Sequence, residues 1–115
     1  MSQEVVVFVT CPAAAAEDIA TRLVESGLVA CVNIVPSIKS VYKWEEKLTI
    51  DSQESLLIIK TNLARWADLE SKIEMIHSYV VPEIICVPIV EGHQPYLEWL
   101  NQSVSLRAEG ERQKP

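Results

Sequence analysis

The feature that most constrains this chain is a run of strand-forming residues too long for the domain that 115 residues can build. Residues 30–47 favour strand almost throughout, and the one interruption, Pro36-Ser37, marks a bulge or bend. Ile38, Ser40, Tyr42 and Trp44 alternate in direction with Lys39, Val41, Lys43 and Glu45, as in a two-stranded ribbon. Residues 48–61 return, ending in Leu56-Leu57-Ile58-Ile59. The turn falls near Glu46 but lacks the Asn-Gly type pair that suits a two-residue hairpin. About 18 extended residues span roughly 59 Å at about 3.3 Å each. A compact domain of this size has a radius of gyration near about 13 Å. The ribbon must therefore bend sharply or leave the body.

The rest of the chain supplies a conventional frame. Val5-Val6-Val7-Phe8-Val9 is β-branched and aromatic, too short for a helix, and stopped by Cys11-Pro12. Ala16, Ile19, Ala20, Leu23 and Val24 then recur at helical spacing, with Glu17 and Asp18 in the first turn and Gly27 at the end. Leu63, Trp66, Leu69, Ile73 and Ile76 mark a second amphipathic helix, for which Asn62 is the expected N-cap. A strand is expected over 83–90, and a third helix opens at Pro95 and carries Leu97, Leu100 and Val104. Residues 107–115 read as a polar tail beyond a domain of residues 1–106.

The order β-α-β-β-α-β plus a helix predicts an α+β, ferredoxin-like sandwich with a long hairpin between its second and third strands. Right-handed crossovers place both main helices on one face of the sheet. Yet residues 5–9, 56–59 and 84–90 are apolar at consecutive positions, so both faces require burial. Exposed ribbon edges invite strand pairing, and Val41, Tyr42 and Trp44 are costly in water. These three residues are the expected interface of a homo-oligomer closed by cyclic symmetry.

Composition excludes several roles. A formal net charge of -6 with no basic run argues against nucleic acid as partner. No apolar stretch reaches the roughly 18 to 20 residues of a membrane span. Residues 1–4 have no basic, signal-like character, so a cytoplasmic location is expected. Cys31 and Cys86 lie in apolar runs and read as core thiols, whereas Cys11 beside Pro12 reads as accessible. The three glycines, Gly27, Gly92 and Gly110, form no phosphate loop. No hydrolase or metalloprotease motif occurs, and a Cys11 nucleophile with His77 as base lacks an orienting third group. The chain does not read as an enzyme, and it calls for no organic cofactor.

Several ordered segments carry a family resemblance. They are Ala30-Cys31-Val32-Asn33-Ile34-Val35-Pro36, Ser40-Val41-Tyr42-Lys43-Trp44-Glu45-Glu46-Lys47, Ile59-Lys60-Thr61, His77-Ser78-Tyr79-Val80-Val81-Pro82-Glu83-Ile84 and Tyr96-Leu97-Glu98-Trp99. Together they resemble the CutA family of divalent-cation tolerance proteins. The resemblance implies a homotrimer similar in architecture to the PII signal-transduction proteins, with a role in copper or divalent-metal tolerance. Glu46 stands where the family has glycine in Trp-Glu-Gly-Lys, and Ser78 where it has proline in His-Pro-Tyr. The copper set implied by the family uses a cysteine where this chain has Val9 and a histidine where it has Ile76.

Cys11 and His77 remain as candidate ligands for copper or another divalent cation, since thiolate and imidazole suit copper. The competing reading packs Cys11 in the core and sets His77 against the helix dipole. A second candidate site is a polar pocket between subunits walled by Trp44, Lys60, Tyr79 and Glu83. Its structural counterpart is a simple contact of Lys60 with Glu83 or Glu45. Two functions follow as expectations. One is a trimeric metal-binding tolerance protein; the other is a non-catalytic, PII-like sensor or scaffold that binds a small ligand or protein partner between subunits.

Overall fold

The computed structural model describes residues 3–104. Its elements are β1 (Glu4–Pro12), α1 (Ala16–Glu25), β2 (Cys31–Trp44), β3 (Lys47–Asn62), α2 (Trp66–Ile76), β4 (Ile84–Pro88) and α3 (Gln94–Ser103). One sheet runs in the order β2-β3-β1-β4, with every neighbouring pair antiparallel. This is the α+β, ferredoxin-like βαββαβ arrangement that the sequence predicts, with α3 added. The expected tail over 107–115 lies outside the described residues.

The core follows from the period of two in β1. Val5, Val7, Val9 and Cys11 point to one face and are buried with Leu57 and Ile59 of β3. Ile19 and Leu23 of α1 and Leu69 and Ile73 of α2 close over them, so both helices share that face. Each such side chain contributes roughly 1.5 to 3 kcal/mol by leaving water.

The opposite face is less well covered. Val6, Phe8, Leu56 and Ile58 are only half-buried, and Ile85 and Val87 are exposed. α3 lies over one end of this face, where Asn101 donates to Glu4 Oε2 at 2.5 Å and accepts from Asn62 Nδ2 at 3.0 Å. Asn62 is thus not the cap expected for α2. It closes β3 in extended conformation and makes no capping hydrogen bond, because its side chain is drawn to α3. β4 is shorter than the expected 83–90, since Pro88 has no N–H to continue the ladder. One further bond, Ile89 N–H to the Glu4 carbonyl, follows it.

The long hairpin leaves the body as an arm, and the molecule reaches 49 Å along its longest axis. Its ladder slips between Val35 and Ile38 and again before Ser40, with Ser37 at a φ of 60°. The bulge therefore falls at Pro36-Ser37, as the sequence indicates. Trp44 pairs with Lys47, which leaves Glu45 and Glu46 as a two-residue turn at φ of 52° and 69°. Both glutamates occupy the left-handed region that Asn and Gly tolerate better. The double substitution Glu45→Asn, Glu46→Gly is expected to stabilise the fold by about 1 kcal/mol. Calorimetry should show a midpoint rise of about 4 °C.

Candidate functional site

Where the arm leaves the sheet, the chain encloses a cleft of about 590 Å³. One wall comes from the arm, with Ser40, Val41, Tyr42, Trp44, Thr49 and Asp51. The floor is Thr10 at the end of β1 and Glu54 in β3, and the far wall is Tyr79, Val80, Val81 and Glu83 between α2 and β4. The β2 ladder slips at Ser37, just before the arm residues that line this cleft.

A chain of hydrogen bonds holds the floor to the far wall. His77 ends α2, is buried, and places Nε2 at 2.7 Å from the Thr10 carbonyl. Its Nδ1 accepts the Tyr79 backbone N–H at 3.1 Å, so the ring proton must sit on Nε2 and be donated to Thr10. The Tyr79 ring lies 4.7 Å from the His77 ring, and its hydroxyl donates to Glu54 Oε2 at 2.6 Å. Burial, and next the Glu54 hydrogen bond and charge, push the Tyr79 phenol well above its ordinary value. Glu54 is only 3% exposed, and no basic side chain lies within ion-pair distance of it among the described residues.

The two candidate copper ligands are occupied otherwise. Cys11, expected to be accessible, is fully buried in the helix-facing core, because the strand continues through it to Pro12. Burial foremost, then the charge of Glu54, pushes its thiol up to about 11, which keeps it protonated at neutral pH. Both ring nitrogens of His77 are spent on backbone groups. A copper ion needs thiolate and a free imidazole nitrogen, so this pair does not fit one. No group of three or more His, Cys, Asp or Glu side chains among the described residues has the geometry to hold a metal. Cys31 and Cys86, read as core thiols, are free and partly buried.

Of the four candidate pocket residues, Trp44, Tyr79 and Glu83 meet at the cleft. Lys60 does not. It pairs with Cys31 and Val6, six residues or roughly 20 Å along β3 from Glu54, and its ammonium donates to Asn33 Oδ1. Neither Glu83 nor Glu45 is its partner there. Sequence reasoning missed Thr10, Ser40, Asp51 and Glu54. The available signal was the polar break 51–55 inside a strand whose continuation is apolar.

Residues 5–103 match the family model described as CutA1 divalent ion tolerance protein. The chain is 43% identical over 101 residues to the divalent-cation tolerance protein CutA of Thermus thermophilus, covering 87% of this chain and 97% of that protein. It is 48% identical over 100 residues to the chloroplastic CutA of Arabidopsis thaliana, covering 86% of this chain and 54% of that protein, so it spans about half that length. The crystal structure of CutA1 from Oryza sativa superposes with a TM-score of 0.87 at 43% identity, over 91% of this chain and 96% of that one.

Two outcomes follow from this geometry. Tyr79→Phe leaves the buried Glu54 carboxylate without its donor and is expected to cost about 1 to 3 kcal/mol in denaturant unfolding. The folded state holds the Cys11 proton to about 11 against an ordinary value of 9.0. The stability this provides is complete below pH 9 and is lost as pH rises towards 11, with a magnitude on the order of 2 kcal/mol. The free energy of unfolding should therefore fall more steeply across that window in the wild type than in Cys11→Ala.

Proposed function

The chain belongs to the CutA1 divalent ion tolerance family, and we propose that it acts in divalent-cation tolerance as a non-catalytic homotrimer that binds a small ligand between subunits. The observation that carries this reading is the arm itself. Val41, Tyr42, Trp44, Leu48 and Ile50 are all exposed on it, and Trp44 remains 51% exposed. An isolated two-stranded ribbon is marginal in water, and five apolar residues on one make it worse. Packing the arm on a neighbour's sheet removes both the apolar surface and the free edges. The sheet face that α3 leaves partly open, with Ile85 and Val87 exposed, is the natural counterpart.

Trp44 and Val41 lie on the arm and also line the cleft, so assembly and ligand binding share a surface. A PII-like arrangement of three subunits would make each cleft a boundary between two chains, which is where ligand pockets commonly lie. Copper coordinated by Cys11 and His77 does not enter, because the thiol is fully buried in the apolar core and both imidazole nitrogens are engaged. Tolerance then arises from what the assembled cleft binds. A reducing, cytoplasmic location agrees with three free cysteines.

Light scattering should give three times the 12.9 kDa chain mass, and a stable folded monomer at micromolar concentration would overturn the assembly. Replacing Trp44 by Ala with Val41 by Ser should dissociate the trimer while circular dichroism retains the helices. In copper titrations, Cys11→Ser is expected to leave the isotherm of the wild type unchanged.

A further inference from the structure

We infer that the cleft is a site for an aliphatic polyamine, a ligand that carries several ammonium groups on a flexible alkyl chain. This deepens the proposed function and rests on it, since the arm that forms one wall is also the proposed subunit contact. Three features of the cleft support the assignment.

The first is charge. Asp51, Glu54 and Glu83 all line the cleft, and none of its lining residues is Lys, Arg or His. Glu54 is the telling member, because it is 3% exposed and receives only the neutral Tyr79 hydroxyl. A carboxylate held this far from water ordinarily has a cationic partner, and the described residues supply none. The phenol also has a reason to stay neutral, so it cannot add to the negative charge at this site.

The second is apolar and aromatic surface. Val41, Val80 and Val81 line the same cleft as the carboxylates, and all three are exposed. Tyr42, Trp44 and Tyr79 add aromatic side chains, whose faces attract alkylammonium groups. A hydrated metal ion would use the charge but not these surfaces. A methylene chain ending in ammonium groups uses both.

The third is size. A volume of about 590 Å³ falls in the range of small-molecule sites and is far more than a single ion needs. No combination of these side chains forms a metal-holding group of three among the described residues.

Calorimetric titration of the intact oligomer with spermidine, and separately with magnesium at matched ionic strength, tests the assignment. Saturable spermidine binding that magnesium does not reproduce is expected. Glu54→Gln should weaken it about tenfold, and the exposed Glu83→Gln about threefold, in line with charge-assisted contacts of different burial. If Glu54→Gln fails to fold, Glu83→Gln and Asp51→Asn carry the comparison. A trimer that shows no saturable spermidine heat, shows a heat equalled by magnesium, or binds equally well in the charge variants overturns the inference alone. A monomer by light scattering in the same samples overturns the assembly and the inference with it.

Discussion

Everything in this molecule depends on a mismatch between the sheet and the helices available to cover it. β1 presents Val5, Val7 and Val9 to one side and Val6 and Phe8 to the other. The βαββαβ order puts α1 and α2 on the first side, where they close a fully buried core. For the second side the described residues supply only α3, anchored at one end by the Glu4, Asn101 and Asn62 hydrogen bonds. Ile85 and Val87 are left in water. The arm has the complementary defect, with apolar residues and free edges but no sheet to lie on. Two incomplete surfaces of one chain are thus what the proposed self-association would cover, and they arise directly from topology.

The same topology places the cleft. Thr10 and Glu54 lie at the end of the sheet where β1 stops at Pro12 and β3 continues into the arm. α2 ends close by, and His77 and Tyr79 use the freed backbone there. The resulting relay runs from the Thr10 carbonyl through the imidazole and the Tyr79 amide, and the Tyr79 hydroxyl carries it on to Glu54. Glu54 accepts the Tyr79 hydroxyl, and among the described residues no basic side chain lies within ion-pair distance of it.

How much of this was legible in the sequence differs from one element to the next. Strands and helices were readable because their periods of two and 3.6 are strong here, and Pro36-Ser37 marked the bulge. Asn62 was misread because capping is a local rule, while its side chain answers to Asn101, 39 residues away. Cys11 was misread because Pro12 looks like a strand end, whereas a proline on the last residue of a strand can keep the extended conformation. Trp44, Tyr79 and Glu83 were found at the cleft, but Lys60 was grouped with them although strand register carries it to the other end of the sheet. Glu54 had no local signature. Its importance comes from burial beside Tyr79, 25 residues on, and no window of sequence contains both reasons.

The departures at Val9 and Ile76 from the copper set that the sequence resemblance implies also have a structural meaning. Val9 sits between Val7 and Cys11 on the inward face of β1 and is fully buried. A thiol there would meet the same desolvation that pushes Cys11 up to about 11, so a metal would first have to compensate the cost of forming the thiolate in an apolar core. Ile76 packs against the same core at the last position of α2. Apolar residues at both places tighten the layer beneath the cleft and remove donors from it. What the scaffold then offers at that end is a carboxylate-lined, aromatic concavity beside the arm.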